Sequence, residues 1–217
     1  VQKITGVIYN ATPIVFLSIL PTGGTMLASV YAVYNNIFVM IKSLLHGLID
    51  APRLGFGQMV TERTRSEIWD VFKQYEYAAF LAVFTLLTTV CTLILPFINL
   101  YTKGIADINY LDGTIALLMV LIAFIEMIHI PSGHMINMAG EFKISRNFQT
   151  IACVFLLITM FIGGNFWGIY GMLSALLLTA ILLAFMELGY IHTRFFEKKL
   201  PELFKLMHPC VYAPGNP

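Results

Sequence analysis

Three side chains that can carry charge interrupt an apolar stretch in the first quarter of the chain: Lys42, His46 and Asp50. Their spacing of i, i+4 and i+8 places them on one face of a helix, and Tyr31 and Asn35 extend the same polar stripe. A lysine in such a stripe attracts anionic groups, and a nearby imidazole can bind a proton. Because polar groups are costly inside a membrane, the stripe predicts a functional site.

The stripe also has a structural interpretation. Lys42 and His46 could reach along the helix to the membrane surface, where their charges would be hydrated. Asp50 and Arg53 come at the predicted end of the helix, where an ion pair or a helix cap is the simpler interpretation. We nevertheless predict substrate binding by the whole stripe, because a lysine that only reaches for the surface does not require polar residues behind it.

The composition predicts the elements that position these residues. The chain has 217 residues, of which 58% are hydrophobic and 12% are charged. Soluble domains have about 25% charged residues, so we expect an all-α membrane protein. Six apolar runs approach the length of about 20 residues that crosses a bilayer, the first and fifth being the shortest. They cover about residues 4–20, 25–50, 75–98, 112–136, 148–162 and 168–193.

Local residue types predict where these helices begin, bend and end. Thr64 or Ser66 caps a helix that starts outside the membrane, and Asp112 caps the fourth span. Pro131 kinks that span because its ring displaces the carbonyl group four residues earlier. Polar or glycine-containing loops are expected at Asn137–Asn147 and at Gly163–Trp167.

The distribution of lysine and arginine orients the six spans. If the runs cross the bilayer alternately, eleven of these residues fall on one side and Lys103 falls on the other, while Lys42 lies within a span. Positive charge marks the cytoplasmic side, so both ends of this chain are predicted to be cytoplasmic. The eleven are Lys3, Arg53, Arg63, Arg65, Lys73, Lys143, Arg146, Arg194, Lys198, Lys199 and Lys205.

A second set of polar residues occurs in the later spans. Glu126 and His129 are spaced i, i+3 in the fourth span, which suits a proton relay or an acidic partner for Lys42. A buried hydrogen bond that fixes helix packing is the alternative. Glu187 lies near the cytoplasmic end of the sixth span, where it could simply face water. Five polar residues fall in the cytoplasmic halves of their spans: Lys42, His46, Glu126, His129 and Glu187. This shared depth predicts a hydrated chamber suited to an anionic headgroup such as a pyrophosphate.

Several function classes are not expected. A net charge of +1 does not provide the concentrated basic face that binds nucleic acid. Three cysteines provide no disulfide framework, and His129 and His134 do not form a zinc-protease pattern. With no glycine-rich phosphate loop after a strand, we predict neither an enzyme nor a bound metal or cofactor.

Several segments together resemble a known family. YAVYNNIF, LLHGLIDAPRLGFGQMV, LPFINLYTKGI and NMAGEFK occur in the order and spacing of the second half of polysaccharide-biosynthesis flippases. These belong to the multidrug/oligosaccharidyl-lipid/polysaccharide exporter superfamily, whose members have two lobes of six helices. The resemblance covers about residues 1–195, which would form the second lobe, and leaves 196–217 as a cytoplasmic tail. The chain begins with Val1 rather than Met, and we expect it to be a piece of a longer protein.

The resemblance implies transport of an isoprenoid-pyrophosphate-linked oligosaccharide across the plasma membrane by alternating access. It also implies a cationic central cavity, with coupling to H⁺ or Na⁺ in some members. We expect substrate contacts from Tyr31, Asn35, Lys42, His46 and Arg53, and a coupling or cavity charge from Glu126, His129, Asp50 and Glu187. The expected partners are the lipid bilayer, the isoprenoid-linked glycan and glycan polymerase machinery. A further partner is the missing first lobe, from the same chain or another.

Two alternatives remain open. A multidrug or cation antiporter of the same superfamily would need an acidic, aromatic-lined cavity, which Lys42 disfavours. A non-transporting membrane component of glycan assembly, such as a scaffold or a polymerase, is the other alternative. A polymerase would be expected to have a long extracytoplasmic loop with arginines. The longest predicted loop on that side is about a dozen residues and contains Lys103.

Overall fold

The computed structural model of this protein describes residues 2–19, 24–105 and 108–197, without the side chains of residues 2–8, 10, 53 and 54. Every regular element in these ranges is helical, which confirms the predicted all-α class. The α-helices are α1 (Gln2–Ile19), α2 (Gly24–Asp50), α3 (Arg53–Glu62), α4 (Arg65–Tyr101), α5 (Gly113–Ile128), α6 (Ile130–Met138) and α7 (Phe142–Tyr190). A π-helical turn, Ile191–Phe195, continues α7.

Within the described ranges, four stretches of helix are long and apolar enough to cross a membrane. They are Gly24–Glu62, Arg65–Tyr101, Gly113–Met138 and Phe142–Phe195. On the outer side of α2, Met40, Leu44 and Leu48 are 70%, 66% and 64% exposed. An exposed apolar stripe of this kind suits contact with lipid and favours aggregation in water. The helices therefore fit a multi-pass membrane protein, as the composition predicts.

Two helix starts follow the predicted capping residues. The backbone N–H and the hydroxyl of Thr64 both donate to Oε2 of Glu67, at 3.0 and 2.9 Å, as part of a capping box at the start of α4. The carboxylate of Asp112 accepts from the backbone N–H groups of Thr114 and Ile115 at 2.8 and 3.0 Å. Each cap satisfies N–H groups that have no partner within the first turn of a helix.

The predicted kink in the fourth apolar run is confirmed. The run divides into α5 and α6 at His129, two residues before Pro131. Proline has no N–H to bond the carbonyl group of Met127, and its ring would clash with that group. Helical bonding resumes when the N–H of Gly133 donates to the carbonyl oxygen of His129 at 3.0 Å. The break leaves His129 at a junction between two helices.

The prediction of loops at Asn137–Asn147 and at Gly163–Trp167, on either side of the fifth span, was wrong. Helix α6 continues to Met138 and α7 begins at Phe142, so only residues 139–141 separate them. Helix α7 then runs through residues 163–167 and is interrupted at Gly168, whose φ of 55° and ψ of −130° are not helical. Glycine disfavours a helix by only about 1 kcal/mol, and tertiary packing overrides that preference here.

The packing involved is a direct backbone contact between Gly163 and Gly171. A Cβ atom on either glycine would overlap the backbone of the other, and a Cβ atom on Gly164 would overlap the ring of Phe16. Residues at this separation would lie about 12 Å apart on a continuous helix. The chain therefore turns sharply at Gly168, and the paired glycines permit the two parts of α7 to approach closely.

Helix α5 lies between α2, α4 and α7 and contacts all three. Its residues Ala116, Met119 and Ala123 are no more than 5% exposed. Small and flexible side chains on this face permit close helix packing. As a result, polar side chains of α2 and α7 reach those of α5 and of the α5–α6 junction. Of the predicted tail, residues 196 and 197 are described, and Phe196 packs on the ring of Trp69.

Candidate functional site

Lys42 of α2 and Glu126 of α5 form the centre of the candidate site. The ammonium group of Lys42 donates to Oε2 of Glu126 at 3.0 Å, and the two side chains are 21% and 14% exposed. Buried Phe38 and Leu45 lie four residues before and three after Lys42, which turns this side of α2 toward the bundle. The expected acidic partner of Lys42 is therefore in contact with it.

Helix α1 contributes a third side chain, which binds the other carboxylate oxygen of Glu126. The hydroxyl of Tyr9 on α1 donates to Oε1 of Glu126 at 2.7 Å, so both carboxylate oxygens have a partner. Lys42, Glu126 and Tyr9, which we call the central triad, join α2, α5 and α1. Sequence reasoning missed Tyr9. The indication available was the unusual polarity of the first apolar run, in which Asn10 and Thr12 follow Tyr9.

The rest of the polar stripe on α2 does not form one continuous surface. Tyr31 is 5% exposed and donates to Oδ1 of Asn35 at a long 3.4 Å, while Asn35 is half-buried. His46 and Asp50 are exposed. Each step of four residues rotates the direction of the side chain by about 40°, so the stripe turns out of the bundle toward its C-terminal end.

Asp50 has a partner that the sequence did not predict. Its Oδ1 lies 3.2 Å from Nε2 of His134, on α6. The hydroxyl of Tyr75 lies 3.5 Å from the other ring nitrogen of His134 and donates to the carbonyl oxygen of Ile49 at 2.7 Å. These contacts join the end of α2 to α4 and α6. The side chain of Arg53, which we predicted at this end of the helix, lies outside the described residues.

His129 and Glu187 form a buried pair, which corrects two expectations. Nδ1 of His129 lies 2.8 Å from Oε2 of Glu187, and the two residues are 8% and 4% exposed. Glu187 therefore does not face water. His129 pairs with Glu187 and not with Glu126, because the break at the α5–α6 junction turns it toward α7. Gly133 leaves the space for this, since a Cβ atom there would lie 2.7 Å from Oε2 of Glu187.

A partly buried carboxylate, that of Glu76, lies near this pair and was also missed. Ser132 of α6 donates to Oε1 of Glu76 at 3.0 Å, and Nε2 of His192 lies 3.2 Å from Oε2 of Glu76. The imidazole lies outside hydrogen-bonding geometry, so this is a close contact and not a formed bond. The sequence did show a glutamate near the start of the third span and a histidine five residues after Glu187.

At the other end of α5, Asp112 connects three helices. Its Oδ2 accepts from the hydroxyl of Tyr170 on α7 at 2.6 Å, and its backbone carbonyl accepts from Tyr34 of α2 at 3.1 Å. Partial burial raises the pKa of Asp112, but the hydrogen bonds from Tyr170, Ile115 and Thr114 lower it, and the net shift is downward. This group is a charged helix cap and fixes the position of α7.

The described residues offer no group of three or more His, Cys, Asp or Glu side chains that could hold a metal ion. What they offer is charge within the apolar helices: one lysine that shares a carboxylate with a tyrosine, and two carboxylates that contact imidazoles, of which Glu187 is buried and Glu76 is partly buried. Such groups bind anions, exchange protons or hold helices together.

No family model, curated protein or solved structure matches this chain. The resemblance to polysaccharide flippases therefore stays a prediction from the sequence segments that carry it.

Proposed function

We propose that this chain is the second six-helix lobe of a flippase that moves an isoprenoid-pyrophosphate-linked oligosaccharide across the cytoplasmic membrane. The observation that carries the proposal is the ion pair between Lys42 and Glu126 inside two apolar helices. A lysine at this position is costly unless it has a partner, and a charge within a span commonly belongs to a transport pathway.

The six-span arrangement is part of the proposal. Helices α1, α2 and α4, the α5–α6 unit and the two parts of α7 on either side of Gly168 would each cross the bilayer once. The predicted loops then place eleven lysine and arginine residues on the cytoplasmic side. One lobe cannot enclose a substrate cavity, so the other lobe would come from the same chain or from a second chain.

In the proposed mechanism, a pyrophosphate replaces the Glu126 carboxylate as the partner of Lys42. The lysine is 21% exposed, so an anion can approach it. Because Tyr9 also holds Glu126, the carboxylate keeps one hydrogen bond when the lysine leaves it. Exchange of one anionic partner for another avoids leaving the lysine charge unpaired in the apolar interior, and the pair reforms after the substrate departs.

The other predicted residues have supporting roles in this proposal. Asn35 and Tyr31 would contact the substrate beyond the lysine, while His46 and Arg53 would attract the headgroup at the cytoplasmic opening. The Asp50–His134 and His129–Glu187 pairs join helices and would respond to H⁺ or Na⁺ if transport is ion-coupled.

The test is transport of a fluorescent isoprenoid-pyrophosphate oligosaccharide by the complete protein in proteoliposomes. K42A is expected to abolish transport while membrane insertion stays intact. K42R is expected to retain part of the activity, since it keeps the charge but not the geometry. K143A is the matched control, because Lys143 is an exposed residue at the start of α7. Unimpaired transport by K42A contradicts the proposal.

A cation antiporter is the second candidate, and the buried carboxylate of Glu187 and the partly buried one of Glu76 favour it. An antiporter that exports organic cations should lose that activity in E187Q and keep it in K42A. The flippase should show the reverse dependence on Lys42. Parallel assays of the same proteoliposomes with the labelled glycan lipid and with a cationic dye distinguish the two.

A further inference from the structure

A cluster of three polar side chains outside the central triad lies between α4, α6 and the π-helical turn. Glu76 accepts from the hydroxyl of Ser132 at 3.0 Å with one oxygen and approaches Nε2 of His192 within 3.2 Å with the other. Ser132 is fully buried, His192 is 2% exposed and the Glu76 side chain is 16% exposed. The proposed transport mechanism uses none of these groups.

His192 is the unusual member of the cluster. Neither of its ring nitrogens makes a hydrogen bond to the described residues, although the side chain is almost completely buried. A buried polar group without a partner costs about 1–3 kcal/mol, so such a group needs an explanation. Its Nε2 lies 3.2 Å from a carboxylate oxygen of Glu76, at an angle that does not form a hydrogen bond. A small rotation of the imidazole would align the Nε2 hydrogen with this oxygen, and one further proton shared by the two groups would make the contact a charge-assisted bond.

The charge of Glu76 leads to the same conclusion. Among the described residues, no lysine or arginine nitrogen lies within 4 Å of this carboxylate, and its contacts are Ser132 and His192. An ionised carboxylate in an apolar interior is costly unless a positive charge accompanies it. A proton supplies that charge, either on the carboxylate itself or on the imidazole beside it.

We infer that Glu76, Ser132 and His192 form a proton-binding site. The ligand is a single proton taken from solvent, held between Oε2 of Glu76 and Nε2 of His192. Ser132 positions the carboxylate by bonding its other oxygen. This inference does not depend on which substrate the protein transports.

The charged groups around this site have other partners. On α4, Lys73 pairs with Asp70 at 2.9 Å, and Arg65 contacts the ring and carbonyl oxygen of Phe195. On α7, Glu187 pairs with His129. The remaining neighbours are His134 on α6, which is next to Asp50, and two exposed residues, Arg194 on the turn and Glu197 beyond it, of which Glu197 lies 3.8 Å from Arg65.

Proton binding at this site would hold the end of α7 against α4. The π-helical turn that contains His192 leads into Phe196, whose ring stacks on Phe72 at 5.3 Å and contacts Trp69 at 4.9 Å. Short π-helical segments are common at functional sites. Loss of the proton would leave the Glu76 carboxylate beside a neutral imidazole, with no positive charge to balance it, which loosens the turn from α4.

Trp69 provides the reporter for the test. The ring of His192 meets the indole of Trp69 edge-on, with centroids 5.4 Å apart. The chain has two tryptophans, so W167F leaves Trp69 as the sole source of indole emission. In this background, the complete protein in lipid nanodiscs is titrated from alkaline to acid pH. A protonated imidazole quenches an adjacent indole, so emission should fall along a single titration curve.

Substitutions of His192 and Glu76 test whether these two groups cause the titration, and H46Q and H129Q are the controls. H192Q should abolish it, whereas H46Q and H129Q should leave it intact, since these histidines are on α2 and at the α5–α6 junction. In infrared spectra, the acid form should show the carbonyl stretch of a protonated carboxyl in a dry site if Glu76 carries the proton, and E76Q should remove that band. Whether Glu76 or His192 carries the proton, E76Q should also change the fluorescence titration.

The inference fails if H192Q keeps the full titration, or if the titration depends on His129. If H192Q or E76Q does not fold, S132A decides, because it keeps both titrating groups and removes the donor to Glu76. S132A should keep pH-dependent quenching with a displaced curve. A curve that is identical to that of the W167F parent would contradict the proposed site.

Discussion

Lys42 and Glu126 are 84 residues apart in sequence and meet at 3.0 Å between α2 and α5. Tyr9 binds the second oxygen of the same carboxylate, so three helices share one acidic group. Each partner is less than a quarter exposed, so removing one of them leaves the charge of the other partly buried without a counterion, which is costly.

We expect K42M and E126Q to reduce the free energy of unfolding by about 1–3 kcal/mol each, since each leaves a charged partner without its counterion. The double substitution should cost less than the sum of the two, by about 1–2 kcal/mol. Unfolding in mixed detergent micelles measures all four proteins of the cycle. K143M is the control and should stay within about 0.5 kcal/mol of the parent. Strict additivity would show that the contact contributes no coupling.

Asp112 predicts a pH dependence. Its pKa is lowered in the folded protein, chiefly by hydrogen bonds from Tyr170, Ile115 and Thr114 that outweigh the effect of partial burial. A folded pKa below the unfolded value of about 3.9 means that its stabilisation is present above that pH. The stabilisation is lost as pH falls through the folded pKa.

Thermal unfolding over a pH series should therefore show D112N less stable than the parent at neutral pH, with the difference shrinking in acid. D112A also removes the helix cap and should cost about 1 kcal/mol at neutral pH. Y170F removes one of the hydrogen bonds that lower the pKa of Asp112. In the Y170F background, D112N should therefore cause a smaller loss of stability than it causes in the parent. A difference that is constant with pH would rule out this assignment.

The structural features that could be predicted from sequence are those set by nearby residues. A helix cap at Thr64 or Asp112 depends on the following two or three residues, and the kink depends on Pro131 alone. The Lys42–Glu126 contact was also foreseeable, because a lysine within a span needs an acidic partner and few are available.

The contacts that were missed depend on how each helix is rotated. In a membrane, the lipid-facing and protein-facing sides of a span are both apolar, so hydrophobic periodicity does not determine the rotation. For that reason the partner of His129 was expected to be Glu126, where the structure has Glu187. To predict the Glu76–His192 contact, one would likewise need to know the direction of the π-helical turn, and no local pattern indicated it.

The contact between Gly163 and Gly171 predicts a large effect from one methyl group. G171A places a Cβ atom into the backbone of Gly163, and backbone cannot move aside as a flexible side chain can. We expect a loss of about 1–3 kcal/mol in the free energy of unfolding. G189A is the matched control, because a Cβ atom at that position on α7 meets nothing within 4 Å. The control should be neutral or slightly stabilising, by up to about 1 kcal/mol. Equal effects of the two substitutions would contradict the packing.

Gly133 and Glu187 provide the last prediction. G133A brings a Cβ atom to 2.7 Å from Oε2 of Glu187, the oxygen that contacts His129. The carboxylate must move, so the buried pair is weakened and we expect a loss of about 1–3 kcal/mol. In the E187Q background the side chain carries no charge, so the pair with His129 is already weakened. G133A should therefore cost less free energy of unfolding there. Comparison of G133A in the two backgrounds by unfolding in mixed micelles measures the difference. If G133A costs the same with and without the Glu187 carboxylate, its effect comes from crowding on α6 and not from the pair with His129.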